Sequence, residues 1–344
     1  MLFRSEVSAH LKTNTALPRY ATPEKPKAQE EDMLDLADVI GQVQAKRALE
    51  IAAAGGHNLL FVGPPGTGKT MLATRLPGIL PDMSEEEAIE SATIRSIRGQ
   101  GFVEHDFYTR PFRQPHHTSS AVSLVGGGSN PKPGEISLAH NGVLFLDEFP
   151  EFDRKVIEVL REPMESQKIH IARASQQVTF PANFQLIAAM NPCPCGFAGS
   201  KKKPCVCSGQ QIQRYQSRLS GPMLDRIDLH IQVHDLPHEV LFQKNNDTTE
   251  TSNSVRARVL AARERQVTRQ KVMNASLKNK ALDKHANLKE AERNLMTTAV
   301  SQLKLSPRAA HRVLRVARTI ADLENTEYIA VKHLSEALSY RGGM

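Results

Sequence analysis

Lys69 and Thr70 close the run Gly63-Pro64-Pro65-Gly66-Thr67-Gly68-Lys69-Thr70, which matches the spacing G-x-x-x-x-G-K-[ST]. Glycines so placed let backbone N–H groups approach a polyphosphate. A lysine at the end reaches the outer phosphates, and the hydroxyl after it can ligate Mg2+. The apolar run Asn58-Leu-Leu-Phe-Val62 precedes the loop and helical text follows it, the context a phosphate cradle for ATP requires.

A second pair of groups completes the chemistry. Val143-Leu-Phe-Leu146 reads as a buried strand ending in Asp147 and Glu148. A carboxylate at a neighbouring strand tip can hold Mg2+ through water, which suits Asp147. Glu148 is then placed to orient or deprotonate an attacking water, so the pattern predicts hydrolysis and not binding alone. Asn191 ends a third apolar strand, Gln185-Leu-Ile-Ala-Ala-Met190, where its amide can sense the γ-phosphate or the water.

All four cysteines fall in one stretch as two C-x-C pairs, Cys193/Cys195 and Cys205/Cys207, with nine residues between the pairs. Four thiolates so close can surround one structural Zn2+, with Pro and Gly supplying the turns. Free structural thiols are the other reading, and a reducing cytoplasm argues against a disulfide. His116-His117 are expected to be structural or loop contacts and not a metal site, because neighbours on a strand point to opposite faces.

The elements that must position these groups are strands alternating with helices. Helical text runs from near Leu34 to Gly55-Gly56, and Glu151–Glu165 reads as a helix disturbed by Pro163. Lys168–Arg173 and Gln177–Phe180 read as two strands around a short turn. This pattern predicts an α/β fold with a mostly parallel sheet covered on both faces. Residues 1–32, with Pro18, Pro23 and Pro26, read as a tail or linker; 33–244 as the α/β core; and 245–344 as a smaller all-helical unit. Its helices are expected at Val255–Gln270, Lys289–Leu303, Pro307–Leu323 and Val331–Tyr340.

Charge is uneven. The sequence of 344 residues has a net charge of +7, but residues 251–344 hold 18 Lys and Arg against 8 Asp and Glu. A basic region suggests a polyanion such as nucleic acid; a solvated helical surface is the alternative. No run of eighteen apolar residues and no secretory N-terminal series is present, so a cytoplasmic protein with no membrane span is expected.

Several stretches together resemble the ComM/YifB family of magnesium-chelatase-like AAA+ ATPases. These are Asp38–Asn58, the cradle, Arg110-Pro-Phe-Arg-Gln-Pro-His-His-Thr118, Gly126-Gly-Gly128, Asn191-Pro-Cys-Pro-Cys-Gly196 and Ser220-Gly-Pro-Met-Leu-Asp-Arg-Ile-Asp228. The resemblance covers about residues 34–342. It implies a P-loop AAA+ sheet with a helix-2 insert (Ser119–Glu135), a pre-sensor-1 hairpin (Lys168–Phe180) and a helical lid, assembled as a homo-hexamer. It also implies an ATP-driven helicase and branch-migration motor on single-stranded or branched DNA, acting in recombination during natural transformation. Arg226 matches the family's arginine finger and Arg308, in Leu305-Ser-Pro-Arg308, its sensor-2 position. Lys168 and Arg173 on the hairpin would follow a phosphate backbone. Members of the family usually begin with a domain of the Lon-protease fold, of which only a following linker near Val7–Leu17 would be present here. The competing function is a protein-remodelling motor, as in the chelatase or a Lon-like unfoldase. The hairpin tip Ala172-Arg-Ala-Ser175 holds no aromatic residue with which to grip peptide, which favours DNA.

Overall fold

The computed structural model describes residues 4–13, 34–101, 106–128, 130–173, 176–200, 202–236 and 250–341. The chain divides into two units, Met1–Asp32 and Met33–Met344. In the first, residues Arg4–Thr13 form a helix where a tail was expected. The prolines that break periodicity begin only at Pro18, leaving that stretch free to make helical hydrogen bonds.

The second unit is built on a five-stranded sheet. Its strands are β1 (Leu59–Val62), β2 (Phe112–Arg113), β5 (Val143–Leu146), β8 (Gln185–Met190) and β9 (Leu229–Gln232). They lie in the order β2-β5-β8-β1-β9, with every neighbouring pair parallel. Two antiparallel pairs stand apart from it: β3 (Gly126–Gly127) with β4 (Lys132–Pro133), and β6 (Lys168–Arg173) with β7 (Gln176–Pro181). All residues of β1, β5 and β8 are buried, as strands covered on both faces must be.

Strand alternation divides the core in two. Leu59, Phe61, Val143, Phe145, Ile187 and Ala189 point into one cluster, which contains helix Val43–Gly55 and, from the C-terminal helices, Val259, Val316 and Ile320. Leu60, Leu144, Leu146, Leu186 and Ala188 point into the other, against Phe149, Val156, Leu160 and Met223. The C-terminal helices Ser252–Gln270 and Pro307–Leu323 therefore share a core with the sheet. Ser306 caps the latter helix by accepting from the Ala309 N–H, with Pro307 at its first position.

Several local expectations need correction. The helix expected across Glu151–Glu165 is three pieces: a 3-10 turn at Phe149–Glu151 and short helices at Arg154–Val159 and Pro163–Ser166. Asp153 restarts it by capping the Lys155 N–H, and Pro163 has no N–H to continue the ladder. Continuous helix from Leu34 is likewise broken, because Gly41 and Gln42 both take left-handed φ, 61° and 51°. Helix Glu85–Arg98, closed by a capping box between Ser84 and Glu87, and strand β9 were not foreseen.

The basic C-terminal region is mostly engaged within the protein. Of its eleven arginines, ten have partners: Arg256 meets Asp82, Arg258 meets Glu50 and Glu250, and Arg269 meets Asp322. Arg263 donates to Ala53 O, and Arg265, Arg293 and Arg315 also donate to backbone carbonyls. Arg308, Arg312 and Arg318 face Glu165, Asp228 and Asp322. Carboxylates outside this region, Asp82, Glu50, Glu250, Glu165 and Asp228, thus offset part of its net charge, while hydrogen bonds to carbonyls leave the charge in place.

Candidate nucleotide site

The loop between β1 and helix Lys69–Thr74 bends because Gly66 and Gly68 adopt φ of 78° and 89°. Gly63 is constrained differently: a Cβ there would lie 2.2 Å from Val233 O, just beyond the end of β9. The loop surrounds Lys69, whose Nζ donates to Gly63 O (2.7 Å), Pro64 O (2.8 Å) and Asn191 Oδ1 (3.2 Å). Thr70 Oγ1 donates to Asp147 Oδ2 at 2.6 Å, and Asp147 Oδ1 accepts from the Glu148 N–H at 2.9 Å. Three parallel strands, β1, β8 and β5, thus deliver Lys69, Thr70, Asn191, Asp147 and Glu148 to one edge of the sheet.

Burial pushes Lys69 down to about 8, although Asp147, Asp235 and Glu148 oppose the shift. For the fold, the charged form therefore costs stability below about 8, and that cost is relieved as pH rises toward the ordinary lysine value of 10.5. For a phosphate ligand the sign is reversed, since only charged Lys69 attracts it. Affinity for a non-hydrolysable ATP analogue is expected to be level below pH 8 and to fall by up to about tenfold per pH unit above it. Titrations from pH 6.5 to 9.5, with proton uptake measured in two buffers, check this. Level affinity across the whole range would contradict it.

Two parts of the site escaped the sequence reading. Beside the cradle lies a cavity of about 180 Å3 lined by apolar Val39, Ile40, Met71 and Leu236 together with charged Asp38, Lys202 and Asp235, with room for a base. Gln42 Nε2 links two of its walls by donating to Thr67 O and His234 O. A larger hollow of about 580 Å3 is lined by the ion-paired Arg47, Glu50, Glu250 and Arg258 and by Lys46. The contact of His117 with Glu148 is the second. The two histidines do not point apart: the chain is not a strand there, their rings lie tilted by 33° with centroids 4.2 Å apart, and His117 Nδ1 lies 3.0 Å from Glu148 Oε2.

The four cysteine sulfurs all lie within 4.8 Å of one another, and three of the separations are 3.4, 3.5 and 3.7 Å. A tetrahedron with Zn–S bonds of about 2.3 Å has edges of about 3.8 Å, so the set fits one ion. Backbone N–H groups of Phe197 and Val206 pull Cys195 down to about 6. Cys205 is pushed up to about 12, because burial and the neighbouring sulfurs outweigh the help of the Cys207 N–H. Such crowding opposes four thiolates unless a cation joins them.

Arg226 and Arg308 do not join this group. Strand β9 runs parallel to β1 in the register Leu229↔Leu59 to Gln232↔Val62, so Arg226 precedes the sheet edge opposite the cradle. The strand alone puts roughly 10 Å between them. Arg226 Nη1 donates to Pro222 O and its Nη2 lies 2.6 Å from Glu165 Oε1; Arg308 Nη1 is 4.0 Å from the same oxygen. Lys168 is exposed at the base of the hairpin, and Arg173 faces Gln176 in the last pair before its tip. The Arg173 side chain lies outside the described residues.

A parallel sheet with a glycine-rich loop after β1, a lysine at the end of that loop and a threonine bound to a strand-tip aspartate defines a P-loop nucleotide-binding core of the AAA+ kind. The chain belongs to the magnesium chelatase family: the model of magnesium chelatase, subunit ChlI, matches residues 35–241, and that of the ChlI C-terminal region matches 249–341. It is 54% identical over 309 residues to the competence protein ComM of Haemophilus influenzae, and 52% identical over 308 residues to the uncharacterized protein YifB of Escherichia coli. These matches cover 90% and 89% of the chain but 60% of each relative, so the chain spans about three-fifths of their length. More distantly, 59% of the chain is 26% identical to a quarter of the DNA replication licensing factor Mcm6 of Drosophila melanogaster. Among the described residues no helix is long and apolar enough to cross a membrane.

Proposed function

We propose that this chain is the motor part of an ATP-hydrolysing ring, a homo-hexamer that translocates DNA in the cytoplasm as a helicase or branch-migration enzyme of recombination during natural transformation. The observation that carries the ATPase reading is the meeting of Lys69, Asn191, Thr70 and Asp147 at one sheet edge. In this reading Gly63–Lys69 cradles the phosphates, and Thr70 and Asp147 hold Mg2+, which neutralises charge on the transferring phosphoryl group. Glu148 activates the water and Asn191 orients it against the γ-phosphate. Arg226 and Arg308, remote from their own cradle, serve the ATP of a neighbouring copy.

DNA is supported by the names of two relatives, a competence protein and a replication licensing factor, and by a hairpin that carries Lys168 and Arg173 without an aromatic grip. The test is ATP turnover with and without forked DNA, beside strand displacement. Stimulation by an unfolded protein and not by DNA would replace this reading with protein remodelling. Arg173→Ala is expected to reduce DNA stimulation and strand displacement together. It should also flatten the dependence of log affinity on log salt, by roughly 0.7 to 0.9 for each phosphate that is no longer neutralised. Unchanged binding and unwinding would move the grip elsewhere.

The cysteine set is proposed to hold one structural zinc, closed by four sulfurs and so without an open position for chemistry. Metal analysis is expected to find about one zinc per chain, lost together with folded protein when Cys193 and Cys205 are both replaced by serine. Active protein free of zinc would refute this.

A further inference from the structure

Glu165 has no part in the chemistry above, yet it faces both arginines assigned to the neighbouring copy. We infer that its carboxylate is a placeholder for the neighbour's γ-phosphate, a positioning residue that holds Arg226 and Arg308 until that phosphate displaces it. The inference rests on the proposal that Arg226 acts across a subunit interface.

The geometry has three features that a chance surface ion pair would not combine. First, two guanidinium groups address a single oxygen, Glu165 Oε1, at 2.6 Å and 4.0 Å. The three groups together keep a net positive charge, and so still attract an anion. Second, Arg226 is fixed while its partner is not. Its side chain is 9% exposed and anchored by Nη1 on Pro222 O, whereas Glu165 is 52% exposed and Arg308 73%. Arg226 Nε is buried and has no hydrogen-bond partner among the described residues, so this guanidinium is held by its Nη atoms alone. Third, the helix holding Glu165 runs straight into β6. Gln167 takes φ of 56° to end that helix, the Lys168 N–H donates to Ser166 Oγ, and the Ala182 N–H donates to Gln167 O. Only Ser166 and Gln167 separate the placeholder from the hairpin base, so its release would be felt there.

The exchange is energetically reasonable. A part-exposed carboxylate holds its partners weakly, whereas a phosphate oxygen with more charge makes stronger charge-assisted bonds to the same fork. No bond forms or breaks; one anion replaces another.

ATP turnover measured against protein concentration tests this, since a shared site needs assembled copies. Glu165→Gln keeps the shape and removes the competing charge. It is expected to lower the protein concentration for half-maximal turnover by about two- to fivefold, the range of a part-exposed ion pair. It should also raise turnover without DNA, reducing the ratio by which DNA stimulates. Glu165→Asp, which keeps the charge, should stay closer to the parent, and adding Arg226→Ala should erase the shift. An unchanged concentration curve for Glu165→Gln overturns the placeholder. So does a loss of turnover like that of Arg226→Ala, which would make Glu165 merely the support of that arginine. Parental turnover in Arg226→Ala alone is a separate failure: it removes the interface reading itself.

Discussion

A Glu148→Gln protein is expected to bind ATP like the parent and to hydrolyse it at least about a hundredfold more slowly, the lower end of what a positioned general base contributes. The groups proposed to hold the nucleotide, Lys69, Thr70 and Asp147, make their contacts in the site without the Glu148 side chain. The glutamate follows Asp147 off the end of β5 with φ of 51°, a left-handed turn that aims its side chain away from the strand. Its carboxylate is half exposed and touches His117 Nδ1, so an amide can keep that contact and the shape while losing basicity. Affinity for a fluorescent ATP analogue, phosphate release and the size of the ATP-bound particle would be measured together. Undiminished affinity with stalled release, on an assembly that persists, is the expected set. Full turnover would remove Glu148 from the base role and direct attention to another group able to take a proton from water.

What could be read from the sequence was what local pattern determines. The buried strands announced themselves as apolar runs, because β1, β5 and β8 need apolar side chains on both faces. The cradle and the acidic pair followed from spacing along those strands. Asn191 drew notice because it ends such a run, and the structure brings it to 3.2 Å from Lys69, which places it by the loop without testing its role. What was missed depends on long-range pairing or on weak periodicity. Strand β9 alternates Leu229 and Ile231 with His230 and Gln232 over only four residues, too short a signal without β1 beside it. Helix Glu85–Arg98 buries only Ala88, Ser91 and Ile94, so its apolar stripe is thin, and the Ser84/Glu87 box was the better clue. The base-sized cavity unites Ile40 with Leu236, which no local window can relate. Formal charge misled for a related reason, since counting charges within one stretch says nothing of the carboxylates elsewhere that its arginines meet on folding.

Arg226→Ala is expected to reduce turnover by about a thousandfold or more, the effect of losing an arginine that stabilises charge on a transferring phosphoryl group. Folding should survive, because the residue stands before β9 and not within it, and its partners Pro222 O and Glu165 are polar groups near the surface. Lys69→Ala should be as inactive for a different reason, since Lys69 is the cation that the loop itself surrounds, with Nζ on Gly63 O and Pro64 O. The two defects lie at opposite edges of the sheet. If each site combines the cradle of one copy with the arginine of the next, a head-to-tail ring built from both proteins contains some intact sites. An Arg226→Ala copy supplies the cradle, and the Lys69→Ala copy beside it supplies the arginine. With equal amounts mixed at random, about a quarter of the interfaces are intact, so about a quarter of parental turnover should return if sites act independently. Sites that must fire in concert would return less, while still exceeding either protein alone. Co-assembly is checked by exchange of labelled copies. Mixed rings no more active than their inactive parents would place Arg226 in service of its own subunit, or of none.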